Sequence, residues 1–286
     1  MDYILVAFAV LLLAFEFALS KKYQALEGTS MAAGLRFNTL SGVLSAVIMW
    51  AISGFQVEWS AFSLVMAFTL SLCCLSYSLL SFQVLKEGDM TLYSTFLMSG
   101  GMLLPYAFGV LFLEESLTLW RILGVILVLA AIVLGNFSRR KVSNKILLLC
   151  CVVFVLNGCV SILSKCHQIS QNAPVSSSMF VAYSGLTRAF MTLPLLLMLK
   201  NVPNRAKMQH RLSPWVVAAA AVISGGSYLL QLVGAKTLPA TVLYPMVTGG
   251  CIIFSSLAGR VFFREKLSLQ QKISIAVCFV GTLLFL

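Results

Sequence analysis

Apolar runs of membrane length follow one another along this chain, and the polar positions collect in short intervals between them. Spans of about 20 residues, enough to cross a bilayer, fall near 3–20, 32–54, 60–84, 91–113, 119–136, 146–165, 177–199, 214–235, 241–263 and 270–286. A backbone in lipid must satisfy its own hydrogen bonds, and no ten-residue alternating pattern of a barrel strand appears, so each run predicts a helix. Ten helices result, five in each half, with the first and last expected to be short. The first run starts at Tyr3 with no preceding Lys or Arg and no small-residue cleavage site behind it, so it is expected to remain as a span.

The polar punctuation repeats. The passage "EGDMTLYSTFLMSGGMLLPYAFGVLFLEESLTL" and the later "LPATVLYPMVTGGCIIFSSLAGRVFFREKLSL" match at Thr91/Thr241, Gly100/Gly250, Gly109/Gly259, Phe112/Phe262, Glu115/Glu265, Leu117/Leu267 and Leu119/Leu269 without a gap. With shifted offsets, "LSKKYQ" (19–24) recurs as "LSKCHQ" (163–168), "SY" recurs at 76–77 and 227–228, and Arg36 has a counterpart in Arg188. An odd number of helices per half turns the second half upside down, so the predicted fold is an all-α polytopic membrane protein of ten transmembrane helices, built as two inverted five-helix repeats over 1–137 and 146–286. Repeats of this kind recur in secondary transporters, with the solute site near the midplane between the halves.

Composition agrees with the pattern. The chain has 286 residues, 60% of them hydrophobic and 10% charged, and a mean hydropathy of +0.97, outside the range of a soluble domain. Its net charge of +11 sits in loop clusters, which excludes a nucleic-acid surface. Loops after odd-numbered spans carry Lys21, Lys22, Lys86, Arg139, Arg140, Lys141, Lys145, Lys200, Arg205, Lys207, Arg211, Arg264, Lys266 and Lys272, against Arg121, Lys165 and Lys236 on the other face. The positive-inside rule then puts both termini outside the cytoplasm and the basic link "RRKVSNK" (139–145) within it. The eight cysteines include no metal-spaced set and read as small buried hydrophobes.

The stretch "KTLPATVLYPMVTGG" (236–250) followed by Gly259 and "FFREKLSL" resembles the drug/metabolite transporter superfamily in its ten-helix EamA-like form, and is similar to the small multidrug resistance proteins in the spacing of Pro239, Tyr244, Gly249 and Glu265. The resemblance covers the chain as two five-helix units and implies a multi-pass protein of the bacterial inner membrane, monomer or homodimer, that carries a small organic solute. It places the essential membrane glutamate of the small multidrug proteins at Leu13 and Asn157, their pocket tryptophan at Val247, and the prolines of EamA-like helices 4 and 9 at Met102 and Ile252.

Candidate site residues are the polar groups inside spans. Glu16, about one turn from Leu13, is the one acidic residue deep in a span; it serves proton coupling or cation binding, or else pairs with Arg36 or snorkels. Arg188, central in the seventh span, needs an anionic ligand or an internal partner such as Glu16. Arg36 lies nearer a span end. Asn157, Tyr77, Tyr228 and Tyr244 suit hydrogen bonding to a solute, or to a neighbouring helix. Lys21, Lys86, Lys165 and Lys236 are expected to snorkel, Gly100, Gly101, Gly109, Gly249, Gly250 and Gly259 to bring helices close, and Glu115 and Glu265 to cap or charge the turn behind their own helices.

The function expected is secondary transport of a metabolite or drug by alternating access, with protons as a candidate coupling ion and no cofactor. No Walker A loop is present for direct ATP drive. A lipid flippase of the same fold is the rival. A membrane enzyme is disfavoured, because the two histidines, His167 and His210, lie near loops and no catalytic motif surrounds them.

Overall fold

The computed structural model describes residues 2–87, 90–135, 143–199, 211–264 and 267–286. Expectations placed on Arg139, Arg140, Lys141, Lys200, Arg205, Lys207, His210, Glu265 and Lys266, and on the side chains of Lys86 and Thr91, lie outside what is described. All regular structure among the described residues is helical: α1 (Asp2–Glu27), α2 (Met31–Ile52), α3 (Ala61–Glu87), α4 (Met90–Phe112), α5 (Leu119–Gly135), α6 (Asn144–Ile169), α7 (Ser177–Met198), α8 (Ser213–Thr237), α9 (Ala240–Phe263) and α10 (Leu269–Leu283). Eight are long and apolar enough to cross a membrane, and α5 and α10 are apolar but shorter.

One boundary corrects the sequence reading. The first helix was expected to be short and to end near residue 20, yet α1 is 26 residues long; the short elements are α5 and α10. Lys21 and Lys22 end the apolar run without ending the helix, because lysine is a good helix former. The chain turns only at Gly28, whose φ of 82° suits a residue without a Cβ.

Elsewhere the helix starts follow local chemistry. Ser30, Ser143, Ser176 and Ser268 each accept a backbone N–H in the first turn of the helix they precede, and Ser60 and Thr118 do the same for α3 and α5, relieving donors that have no partner inside the helix. Ser268 completes a capping box with Gln271. Met102 and Ile252, where the resemblance puts prolines, are not prolines; the interior prolines of these helices are Pro105, three residues on in α4, and Pro245, seven residues before in α9. Pro105 has no N–H for the carbonyl of Gly101, and Ser161 of α6 donates its hydroxyl to that carbonyl instead.

Packing runs between the halves far more than within them. Helix α2 lies on α7, α4 on α9 and α5 on α10; α1 lies against α8 and α9 as α6 lies against α3 and α4, and the contact of α2 with α8 is matched by that of α7 with α3. Adding five to every helix number maps this set of contacts onto itself, which a two-fold relation between halves produces. Lipid offers no hydrophobic drive between helices, so close approach decides which faces meet. At the α2–α7 crossing Gly42 and Gly185 face each other: a Cβ on Gly42 would lie 2.7 Å from the Gly185 carbonyl oxygen, and one on Gly185 would lie 2.5 Å from that of Gly42. Thr39 and Thr192 join hydroxyls across the same crossing at 2.7 Å. Gly124 and Gly281 make the equivalent approach between α5 and α10. Of the glycines in the doubled passage, Gly100 lies on the backbone of Phe154 in α6, Gly249 on Thr282 and Gly250 on Val10, the packing role expected of them.

Apolar residues facing outward, such as Phe8, Val43, Val65, Phe190 and Val261, are exposed, as suits surfaces in lipid. Inward, one cluster around Val10, Met102, Val128 and Leu243 joins α1, α4, α5 and α9; a second around Met49, Leu70, Phe180 and Leu232 joins α2, α3, α7 and α8. Cys150, Cys251 and Cys278 are buried and Cys151 is exposed, so burial expected of all eight cysteines holds for part of them.

Candidate functional site

A cavity of about 500 Å³ opens between these clusters, walled by α1 to α4 and α6 to α9. Its wall residues come from the middle of most of these helices, as Glu16, Gly42, Cys74 and Arg188 illustrate. Helices α5 and α10 contribute none of them. The volume falls within the range of small-molecule sites.

Six of the seven candidate residues meet here: Glu16, Tyr77, Asn157, Arg188, Tyr228 and Tyr244 all line the cavity. Arg36 does not. It lies 3.5 Å from the Glu27 carboxylate at the end of α1, which also accepts the hydroxyl of Ser213 from α8, so the partner of Arg36 is Glu27 and not Glu16. Leu13, Asn157 and Val247, the positions that the resemblance matched to a functional glutamate and tryptophan, are wall residues too.

The hydrogen bonds divide the wall into groups already engaged and groups left over. Tyr244 donates its hydroxyl to the Ser161 carbonyl, and the Tyr228 and Ser164 hydroxyls share a bond of 2.8 Å. Asn157 donates its amide to the Leu97 carbonyl, and Ser227 donates to that of Ala9. These polar tips therefore hold helices together, as buried hydroxyls and amides must find partners. Glu16 and Arg188 behave differently. Among the described residues neither side chain makes a hydrogen bond or an ion pair, although the two charges interact across the space between them. The pairing of Arg188 with Glu16 weighed from sequence is thus absent as a direct contact. Two half-buried charges remain for whatever enters. Asn38, Ser45 and Gln231 also line the wall; they were overlooked, although a polar residue within an apolar run is the signal that marked the others.

One end of the bundle, near the turns after α2, α4, α6 and α8, carries polar contacts between these segments. Glu115, beyond α4, accepts the backbone N–H groups of Ala240 and Thr241 at 2.7 and 2.8 Å and the Thr241 hydroxyl at 2.8 Å. It caps α9, across the halves, and not the turn behind its own helix as expected. The reason is local: Pro239 at the N-cap position has no side-chain oxygen, so the donors of α9 need a carboxylate from elsewhere, and the positive end of the helix dipole favours one. Lys165, expected to snorkel, is instead buried, with its ammonium donating to the carbonyls of Ala235 and Leu238 at 2.8 and 2.7 Å, the complementary charge at the end of α8. His167, expected near a loop, is fully buried between the rings of Phe62 and Phe180. Its Nδ1 accepts from Gln168 and its Nε2 meets Ser63 Oγ at 2.8 Å, while Val175 donates its N–H to the same hydroxyl. Nearby, Glu58 accepts from the Ser176 N–H through its carboxylate and from the Tyr183 hydroxyl through its carbonyl.

We expect Glu115→Ala to lower the midpoint of thermal unfolding in detergent, since three charge-assisted bonds disappear and α9 keeps uncapped donors; the loss is about 2 kcal/mol for a half-exposed group. An unchanged midpoint would show that water replaces the carboxylate without cost.

The ten helices of the described residues, eight of them long and apolar enough to cross a bilayer, packed around a mid-bundle cavity, are those of a multi-pass membrane protein. Residues 144–286, which comprise α6 to α10, match the EamA-like transporter family, and the chain belongs to that family: it is a membrane transporter of the drug/metabolite type. A solved crystal structure titled only as that of a protein is similar over 99% of this chain and 95% of its own, with a TM-score of 0.79 at 14% identity, a likeness that shows the shared fold. No curated protein matches the chain at a significant level.

Proposed function

We propose that the chain is a secondary transporter that moves one small organic solute by alternating access, the halves rocking about the α2–α7 and α5–α10 contacts around the central cavity. The observation that carries this reading is the pair of charges on the cavity wall. An unpaired charge inside a membrane span is costly and persists where it meets solute, ion or water. The bonds of Glu115, Lys165 and Glu58 at one end of the bundle are the contacts that rocking of the halves would have to rearrange.

Glu16 is the group proposed to couple transport to protons, as a titratable acid in contact with the cavity. Glu16→Gln keeps shape and hydrogen bonding but cannot titrate. In proteoliposomes it is expected to abolish accumulation driven by a pH gradient while exchange of solute down its own gradient survives. Undiminished, still pH-driven accumulation in this variant would remove Glu16 from the coupling step.

The proposed orientation has both termini outside the cytoplasm, supported by the loop charges. Reporter fusions at Leu286 are expected to be active only for the extracytoplasmic enzyme; activity of the cytoplasmic reporter overturns it.

A further inference from the structure

We infer that the link between α2 and α3, residues 53–60, is an anchor seated in the bilayer interface, its partner the ester and headgroup layer of phospholipid without net charge. Phe55, Val57 and Trp59 are 61%, 75% and 76% exposed in this link, and large apolar side chains crowded onto so short a non-helical stretch need a cover. The neighbouring helices say what that cover is. Along α2 the exposed Val43 and Val47 lead to Trp50 and Ile52, and along α3 the exposed side chains of Val65, Phe68 and Leu72 follow the link. Phe55 takes a φ of 58°, a conformation uncommon outside glycine, and its ring meets that of Trp50 edge-on at 5.3 Å. The link therefore continues a surface that already faces lipid.

The backbone fixes the depth. The N–H groups of Gln56, Val57 and Trp59 make no hydrogen bond among the described residues, and such groups are not tolerated in hydrocarbon. Bulk water would serve them and leave the three side chains wet. The interface offers both acyl chain for the side chains and water, phosphate and ester oxygens for the N–H groups, and it suits the polar edge of a tryptophan ring. Charge decides the kind of lipid. Glu58 is the one ionisable residue between Ile52 and Ser60; its carboxylate accepts the Ser176 N–H and its carbonyl the Tyr183 hydroxyl, so the link offers no cation to an anionic headgroup. The same two bonds join the anchor to the start of α7.

Tryptophan emission tests the seat. Trp50→Phe, Trp120→Phe and Trp215→Phe leave Trp59 as the reporter in the full chain, which is reconstituted into phosphatidylcholine vesicles. Lipid brominated near the ester end of its chains is expected to quench this emission more strongly than lipid brominated near the methyl end, and iodide on both sides of the membrane to quench it little. Neither added salt nor added phosphatidylglycerol is expected to change the pattern. Strong quenching by iodide with none by brominated lipid places the link in water and overturns the inference. Strongest quenching by bromine at the methyl end overturns it too, as does quenching that appears only when anionic lipid is present. Should the triple variant not fold, Val57→benzoylphenylalanine supplies a second measurement in an otherwise unaltered chain. Irradiation in the membrane is expected to add the mass of a phospholipid; a crosslink to another protein or to a second copy of this chain, or the absence of any lipid adduct, overturns the anchor.

Discussion

Arg188→Gln is expected to abolish measurable transport at low solute concentration without harming the fold. A hydrogen bond to a charged group contributes about 2 kcal/mol, so loss of the guanidinium weakens binding on the order of thirtyfold. Stability moves the other way or stays level. Because the Arg188 side chain makes no hydrogen bond or ion pair among the described residues, its removal orphans no partner, and it relieves a charge whose placement at the centre of a span costs about 3 kcal/mol. The measurement is a pair: solute affinity of the purified protein, and its thermal midpoint. A structural arginine gives the reverse signature, with a lower midpoint and an affinity that falls only as the protein unfolds, and such a result would exclude Arg188 from the site.

The second large effect belongs to the α2–α7 crossing. With carbonyl oxygens 2.7 and 2.5 Å from where Cβ atoms would stand on Gly42 and Gly185, even alanine at both positions forces the two helices apart, because backbone cannot rotate out of the way. Overpacking of a tight contact costs upward of about 3 kcal/mol when both sides are altered, and it breaks the Thr39–Thr192 bond beside it. We expect the double variant to be lost from the membrane fraction or to elute as aggregate. Gly226→Ala is the control. A Cβ there meets only the end of the Leu12 side chain, at 3.7 Å, so the helix-propensity gain of alanine, about 0.5 to 1 kcal/mol, should leave yield equal or higher. If the crossing variant matches the control, the two helices are not held at this distance in the membrane.

Much of this architecture is written in periodic features. Runs of apolar residues mark the ten helices because lipid demands complete backbone pairing, and the doubled passage, which runs to Leu119 and Leu269, accords with the paired pattern of helix contacts. Arg188 and Glu16 are visible as charges where charges are expensive. What escapes notice is relational. Gly42 and Gly185 carry no signal of their own, since a glycine in an apolar helix reads the same whether it meets lipid or another backbone. Glu115 reads as a helix-end acid for its own turn, because no local feature says that the donors it serves follow Pro239, half a chain away. Lys165 and Lys21 occupy matching words of the repeat, and only the packed structure tells that Lys165 is buried on the end of α8. Tyrosines and asparagine on the wall are legible as polar groups in spans, while the division into those spent on neighbouring helices and those left for a solute depends on distances.

The cap that Glu115 lends to α9 bears on biosynthesis. Residues 144–286 carry the family signature, yet the fourth of their five helices begins at a proline and obtains its first-turn acceptor from a residue translated well before it. When α9 leaves the ribosome, the carboxylate it requires is already in the membrane, and so are α1 and α4, against which it packs. The first half thus acts as a template laid down in advance, and the order of the two halves along the gene becomes an order of assembly. Because α9 takes its cap from beyond α4 and packs on α1 and α4, residues 144–286 are incomplete as a packing unit without the residues before them.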